Sequence, residues 1–501
     1  MTRKSNGKKR ELWIGDNLTV MRGMNSDSVD LIYLDPPFNS KKQYQGVISI
    51  NGKERKAQFK DTWTVNDITQ DEYDYLEERC PDAAVFIKCM GGINGEDWEA
   101  YLTFMGARLW EMRRLLKDTG SIYLHCDKTM AHGLKLLMDC VFGGANFLNH
   151  IAWQYDGPQS PSKKKFATKH DDILRYAKNA GEVYVDYDEL FSAAEIKKAE
   201  LESAYKKDEG GYFYDLPPGD YSAASIAKLK KEGRVRTTKN GKTRIKYYLI
   251  KKGGKYYRRK KIPTVWNDIS SLGQAGGGEN TKWPTQKPLA LLNRIIRTSG
   301  KKGDVLLDPF CGCATACVAA AHQERQWVGI DLELQAAAIM QDRMRSKKEK
   351  NLLDEFHKCE IRSIVRQPAG KTREQQELLE DLPQDIEWLK TPPRRTDVRE
   401  FTASEKAELK PALYHGQQKK CAGCLEITDL KHLDLDRKIP QKRGGYYVPD
   451  NVQLLCGNCN RTKGGRTNAY LQRKLEERDL EEFRKNRAKK LAINAKSKIK
   501  K

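Results

Sequence analysis

An acid, two prolines and an aromatic ring stand together at Asp35-Pro36-Pro37-Phe38, directly after the apolar run Leu31-Ile32-Tyr33-Leu34. Proline cannot donate to a sheet ladder, so a strand over 31–34 must stop at Asp35 and turn. The turn gathers a carboxylate, rigidly held carbonyls and a ring at a strand's carboxyl end, the edge where open parallel sheets bind ligands. A carboxylate and a carbonyl can accept both hydrogens of one exocyclic amine while a ring stacks on the attached base. That suits a nucleobase taken out of its stack. A Pro-Pro loop with an isolated acid carries the same letters, so this corner needs support from elsewhere in the chain.

A second corner lies near residue 308. Asp304 to Leu307 reads as a strand, Asp308-Pro309-Phe310-Cys311-Gly312-Cys313-Ala314-Thr315 as a turn, and Ala316 to His322 as a helix. Gln326 to Ile330 is the next strand, and it ends in Asp331, 23 residues beyond Asp308. Small residues let the backbone approach a ligand, and the second-strand acid is placed for a ribose hydroxyl pair. A pyrophosphate-bearing dinucleotide asks for three glycines. This loop has Gly312 alone, which points to a cofactor without phosphates, S-adenosylmethionine.

Four cysteines make a third constellation. Cys421-Ala422-Gly423-Cys424 and Cys456-Gly457-Asn458-Cys459 are two knuckles with the spacing of a tetrahedral structural zinc site. The other eight of the twelve cysteines are scattered through the first 359 residues. Reduced thiols plus one metal site fit this better than a disulfide framework. Cys80, Cys89, Cys126 and Cys140 read as packing residues. His125, after a core strand, is placed either to line the pocket or to cap it.

Charge names the partner class. The 501 residues hold 91 Lys+Arg against 68 Asp+Glu, net +23, which points to a polyanion and to nucleic acid first. Sixteen of those cations fall between Ile226 and Lys261, against one acid, Glu232. Asn240-Gly241 and Gly253-Gly254 divide this stretch as tight turns, which predicts a three-stranded basic meander over 226–261. Arg234, Arg236, Lys242, Arg244, Lys246, Tyr247, Tyr256, Arg258 and Arg259 are its candidate DNA contacts, although a charged hairpin can also be merely a solvated face. No apolar segment follows the basic start of the chain and no run is long enough to cross a bilayer, so neither a signal peptide nor a membrane partner is expected, and the expected compartment is the cytoplasm.

Elements must position these groups. Short strands at Glu11–Asp16, Leu31–Leu34, Ser121–Cys126, Ile151–Trp153 and Asp172–Tyr176 alternate with helical runs at 17–25, 98–117 and 130–141, and 41–95 reads as a polar, irregular insertion. Alternation of this kind predicts an α/β, mostly parallel, doubly wound sheet.

Asp35-Pro36-Pro37-Phe38 and Asp308-Pro309-Phe310-Cys311-Gly312, with Trp283-Pro284-Thr285-Gln286-Lys287-Pro288 just upstream of the latter, together resemble the DNA amino-methyltransferases. With the catalytic motif first, the order is similar to that of the permuted beta subgroup. The resemblance covers about residues 10–350 and implies a Rossmann-like, S-adenosylmethionine-dependent fold. It assigns catalysis to Asp35, Pro36, Pro37 and Phe38. It assigns the cofactor to Asp16, Gln286, Lys287, Asp308, Pro309, Phe310, Gly312, Thr315 and Asp331. Asp at position 35 implies adenine-N6 as acceptor, with cytosine-N4 as the alternative. Two departures stand out. Phe38 takes the place of a commoner tyrosine, and Ala314 replaces a second glycine, where alanine does not readily adopt a positive φ.

The cysteine-rich unit, with Leu433-Asp434-Leu435-Asp436-Arg437, Gly444-Gly445, Asn451 and Asn460-Arg461-Thr462-Lys463, resembles a ββα HNH endonuclease module. In that family a histidine follows the acid. Here the position is Arg437, which stays protonated and cannot be a general base, and His432 is out of register. A zinc-stabilised, DNA-binding relic is therefore expected, with Arg437 among its DNA contacts. A fused enzyme that cuts DNA through a metal held by Asp436 and Asn460 is the alternative. The expected organisation is a catalytic half at 10–190, a target-recognition insertion at 191–280, a cofactor half at 281–350, a linker at 351–410, the zinc module at 411–466 and a basic helical tail at 467–501. Double-stranded DNA is the expected partner, and the resemblance also admits a homodimer and a cognate restriction nuclease.

Overall fold

A computed structural model describes residues 10–39, 42–50, 53–61, 70–156, 164, 166–272, 279–283, 285–345, 359–369, 372–441, 445–468, 470–481 and 485. Pro284, Gly444 and nearly all of the expected tail beyond 481 lie outside the described residues. Among those described, no helix is long and apolar enough to cross a membrane. The chain forms two compact units, residues 185–266 and the remainder.

The larger unit is built on the α/β sheet that the alternating pattern predicts. From Phe147–Gln154 its strands run in the order Phe147–Gln154, His170–Ala177, Leu116–Cys126, Val29–Leu34, Val305–Asp308, Gln326–Asp331, Arg10–Ile14, Glu360–Ser363, Glu387–Trp388. Every pairing from Leu116–Cys126 to Glu387–Trp388 is parallel, and His170–Ala177 runs antiparallel to both neighbours. The sheet is Rossmann-like.

Val29–Leu34 and Val305–Asp308, far apart in the chain, lie side by side, with Leu31 opposite Leu306 and Ile32 opposite Leu307. All four side chains are buried, each contributing about 1.5–3 kcal/mol by leaving water. Asp30 fixes the register: its carboxylate accepts from the Val305 amide at 2.9 Å and from the Lys117 ammonium at 2.7 Å. The helix Glu96–Leu115 packs against the helices Gln70–Arg79, Pro81–Asn94 and Ala131–Phe142. Its Leu102, Met105, Leu109, Met112 and Leu115 lie at helical spacing and are fully buried. Acids fill its first turn and Arg113 and Arg114 its last, as the helix dipole favours.

Three expectations need correction. The insertion at 41–95 is not irregular: Lys42–Ile50 and Lys53–Asp61 form an antiparallel hairpin, followed by the helices Gln70–Arg79 and Pro81–Asn94. Pro81 sits at the start of its helix, where the missing N–H costs nothing, so it opens an element instead of breaking one. The expected linker adds strands Glu360–Ser363 and Glu387–Trp388 to the sheet edge. It ends in the helix Ala403–Gly416, capped by Thr402 and Glu405 in a capping box.

The basic stretch is not one meander. Within unit 185–266, residues Ala223–Lys231 are helical. Val235–Thr237 and Thr243–Tyr248 pair in one sheet with Gly211–Leu216 and Lys206–Asp208, while Ile250–Lys252 and Lys255–Lys261 pair in another with Phe191–Ile196. The chain changes sheet at Leu249, whose side chain is buried.

Candidate functional site

Four adjacent parallel strands end in acids. In order across the sheet these are Asp35 after Val29–Leu34, Asp308, Asp331, and Asp16 after Arg10–Ile14. The two corners singled out in the sequence therefore share one edge of one sheet. Burial pushes the Asp308 carboxyl well above the usual carboxylate range, and repulsion from Asp35 and Asp331 adds to it. Asp331 is raised by burial against hydrogen bonds from the amides of Glu333 at 2.9 Å and Gly312 at 2.7 Å. Burial also pushes Asp16 upward, but Arg108 at 2.8 Å and two hydrogen bonds from Thr19 outweigh it and hold this carboxyl low.

Asp35 is held asymmetrically. Its Oδ2 accepts from the Lys287 ammonium at 2.6 Å, with the two side chains 10% and 15% exposed. Its Oδ1 is buried without a hydrogen-bond partner. A buried carboxylate oxygen left unmatched costs free energy unless a donor arrives. The ring of Phe38 lies 5.3 Å from the Lys287 ammonium.

The placement of Lys287 differs from the cofactor role that the resemblance assigns to it, because its charge serves the acid of the other half. Gln286 differs too: its amide oxygen accepts from Thr281 and its amide nitrogen donates to the Glu279 carbonyl, so the side chain folds its own loop. In that loop Lys282 and Thr285 have φ values of +62° and +70°. A β-branched residue there is a true outlier, of the sort concentrated at functional sites.

The loop Asp308–Thr315 shows why the small residues are there. Gly312 has φ +49°, and a Cβ on it would lie 3.0 Å from the Trp283 indole nitrogen, so glycine keeps a cradle open. Ala314 occupies the left-handed region at φ +58° and precedes the helix Thr315–His322. The departure from glycine is thus accommodated, at about 1–2 kcal/mol of strain. The Thr315 hydroxyl accepts from Arg343 at 2.9 Å, and Arg343 also holds the Cys313 carbonyl at 3.0 Å. The Pro309 carbonyl accepts from Asn17, which Arg108 holds in turn, and Phe310 packs on Phe104. Asp16 therefore helps brace this loop through Arg108, and it caps the helix Asn17–Gly23. An open glycine cradle, an acid ending the next strand and an unmatched carboxylate oxygen fit a nucleoside cofactor beside an amine substrate.

His125 belongs to this site more closely than its sequence context reveals. It is fully buried, 3.0 Å from the Tyr33 hydroxyl through Nδ1 and 3.0 Å from Asp171 through Nε2. Its ring stacks near-parallel to Phe38 at 6.3 Å and meets Trp153 edge-on at 5.8 Å. Burial pushes Asp171 up, but the His125 bond, Lys287 and the Tyr155 hydroxyl bring it below its ordinary value. Burial drives the Tyr33 hydroxyl well up, and the charges of Asp35, Asp308 and Asp171 add to this, so it stays protonated as a donor. Only the antiparallel pairing of Leu116–Cys126 with His170–Ala177 brings Asp171 here. Burial likewise raises the thiols of Cys80, Cys126 and Cys140, as expected of packing residues, whereas Cys89 is exposed.

The candidate DNA contacts of unit 185–266 divide into two groups. Arg236, Arg244 and Lys206 converge on Asp215 at 2.6, 3.1 and 2.8 Å, Lys246 pairs with Asp208 at 2.7 Å, and Arg259 with Asp188 at 2.5 Å. Arg234 lies 3.7 Å from Glu232. Each of these cations is therefore engaged by a carboxylate of its own unit. Tyr247 stacks on Tyr214 at 5.3 Å, Arg258 lies over the same Tyr214 ring, and Tyr256 meets Tyr212. Lys242, with Lys239, Lys251, Lys252, Lys260 and Lys261, is exposed and makes no ion pair among the described residues.

In the cysteine-rich unit the four sulfurs of Cys421, Cys424, Cys456 and Cys459 all lie within 4.8 Å of one another. A tetrahedral zinc with bonds of about 2.3 Å sets its sulfurs about 3.8 Å apart, so the cluster fits that metal. Burial works against the Cys421 thiolate, but backbone amides including those of Cys456 at 3.2 Å and Gly423 at 3.4 Å pull its titration down. Leu433–Arg437 and Val452–Cys456 pair antiparallel ahead of the helix Gly457–Lys463, a ββα unit. Its nuclease-type acid is engaged: the fully buried Lys463 ammonium lies 3.0 Å from Asp436 and donates to the Arg437 carbonyl at 2.7 Å. Asn460 reaches Asp434, not Asp436, and His432 is exposed. Arg437 lies over the Tyr447 ring at 4.4 Å.

Residues 29–342 match the DNA methylase family, and residues 421–466 match the HNH endonuclease family. The chain is 30% identical over 277 residues to the type II methyltransferase M.EcaI of Enterobacter cloacae, covering 49% of this chain and 57% of that protein. It is 27% identical to the StyLTI Mod subunit, a type III restriction-modification enzyme of Salmonella typhimurium, over 62% of this chain and 50% of that one. To the DNA adenine methyltransferase YhdJ of Escherichia coli it is 24% identical, over 64% of this chain and 76% of YhdJ. The chain thus spans only about half the length of the first two relatives.

Proposed function

The chain belongs to the DNA methylase family, and from that premise we propose that it transfers a methyl group from S-adenosylmethionine to the exocyclic amine of a base turned out of duplex DNA, with adenine-N6 as the acceptor. The observation that carries this reading is the buried, unpartnered Oδ1 of Asp35, one strand away from the glycine cradle of Gly312. The loop Asp308–Thr315 and Asp331 would hold S-adenosylmethionine, which would supply an already electrophilic methyl group. Asp35 Oδ1 accepts one amine hydrogen and a carbonyl of the Pro36-Pro37 turn accepts the other, which orients the nitrogen lone pair. The positive charge that grows on the nitrogen meets a preorganised carboxylate in a dry site, where such charges act most strongly. Lys287 keeps that carboxylate from turning, and Phe38, backed by His125, offers a ring to the base. The acid at position 35 and the activity named for YhdJ both favour adenine over cytosine.

The exposed lysines of unit 185–266 supply sequence-independent phosphate attraction. A cognate restriction nuclease is a partner consistent with the restriction-modification names of the relatives, and a homodimer is the partner that the family resemblance adds. The HNH-like module acts as a zinc-held DNA-binding element, because Lys463 occupies the carboxylate that a nuclease metal needs. The test is transfer of labelled methyl groups to DNA, followed by nucleoside analysis. N6-methyl-2′-deoxyadenosine from the native chain and none from Asp35→Ala is the expected result. N4-methyl-2′-deoxycytidine overturns the choice of base, and undiminished transfer by Asp35→Ala overturns the proposal.

A further inference from the structure

A cavity of about 280 Å³ lies in the larger unit among elements at the amino-terminal edge of the sheet, away from the acids just described, and guanidinium groups line it. Arg22 comes from the helix Asn17–Gly23, Arg113 from the helix Glu96–Leu115 and Arg79 from the end of Gln70–Arg79. The segment carrying Arg395 borders it and is pressed onto the first helix. A Cβ at Gly23 would stand 2.1 Å from the Pro393 carbonyl oxygen.

Charge balance in this cavity is incomplete. Arg114 is neutralised by Glu111 at 2.7 Å, Arg395 by Asp397 at 2.8 Å, and Lys178 by Asp27. Arg22, Arg79 and Arg113 make no hydrogen bond or ion pair among the described residues. Arg22 is only 8% exposed, and its Nε and Nη2 are buried without an acceptor, as is Nε of Arg113. Arg22 lies over the face of Tyr75 at 4.1 Å and its charge also acts on the buried Glu111 carboxyl, which Arg114 already engages, and Arg113 lies 5.8 Å from the Trp110 ring. Buried guanidinium N–H groups without acceptors are costly and uncommon. Three guanidiniums lining one cavity, two of them against aromatic rings, form a receptor for a dense, multiply charged oxyanion, since planar N–H forks match phosphate oxygens.

We propose that this cavity binds the phosphate groups of a small phosphorylated ligand at a site separate from methyl transfer. Its volume suits a diphosphate group, not a DNA duplex. Bound there, the anion ties the first helix and Glu96–Leu115 to the segment leading into the zinc module.

Calorimetric titration of the full chain tests the proposal, with inorganic phosphate, pyrophosphate and ATP as separate arms. Pyrophosphate binding that weakens as salt rises is expected, and tighter ATP binding would identify a nucleotide as the source of the phosphates. Arg22→Gln removes the buried charge-assisted bonds and weakens binding by about 10- to 100-fold. Should that variant fold poorly, Arg79→Gln, whose side chain is exposed, still weakens binding measurably, whereas Lys302→Gln, outside the cavity lining, leaves it unchanged. Absence of binding to all three probes overturns the site. So does equal affinity in a folded Arg22→Gln chain.

Discussion

Replacing Lys287 by methionine separates a cofactor role from a role on Asp35. The ammonium lies 2.6 Å from Asp35 Oδ2 in a place where the two side chains are 10% and 15% exposed, so water cannot readily take over as partner. At an effective dielectric constant of about 20, Coulomb's law gives a gross attraction on the order of 6 kcal/mol. Desolvation of both groups offsets much of this. What remains visible on removing one partner is the loss of a hydrogen bond to a charged group, about 1.5–3 kcal/mol. Expressed on the catalytic step, that is about a 10- to 150-fold fall in turnover. Lys287→Met is expected to lose methyl transfer to DNA by this factor while binding S-adenosylmethionine as the native chain does, measured by equilibrium dialysis. A double-mutant cycle with Asp35→Asn in chemical unfolding should show coupling of about 1.5–3 kcal/mol. A variant that loses cofactor affinity while turnover holds, or coupling under about 0.5 kcal/mol, refutes the pairing.

Two more outcomes follow from the region around the zinc module. A hydrogen bond from Arg395 holds the Asp397 carboxyl at about 2, below the unfolded value of about 3.9. The sign is that of a depressed acid: its stabilisation is complete above pH ~4 and is lost as pH falls toward about 2. The protection factors of the amides of residues 394–397, which touch Ser26 and Asn25, should fall over that window relative to intrinsic exchange at each pH, and Asp397→Asn should abolish that fall. Cys421→Ser removes one thiolate from the four-sulfur cluster around which Leu433, Leu454 and Leu471 pack. Structural zinc provides about 10–16 kcal/mol of apparent binding energy at such sites. Zinc content should therefore drop and trypsin should cut within 421–466, while full zinc occupancy in the variant would count against the cluster.

Local chemistry decided much of this protein at the level of sequence. Proline cannot continue a strand, so Asp35 had to end one. A single glycine could not cradle a pyrophosphate, and two cysteine knuckles could hardly be anything but a metal site. Alternating apolar runs required a parallel sheet. Tertiary structure decided which charges meet. No spacing rule brings Lys287 to Asp35, Asp171 to His125, or Lys463 to Asp436, because each pair joins segments whose approach depends on strand order and register. The same holds for the arginines around Asp215, which strand pairing gathers on one buried carboxylate. Side-chain type and backbone geometry are local properties legible in a string of residues, whereas electrostatic pairing across a core is a property of the packed whole.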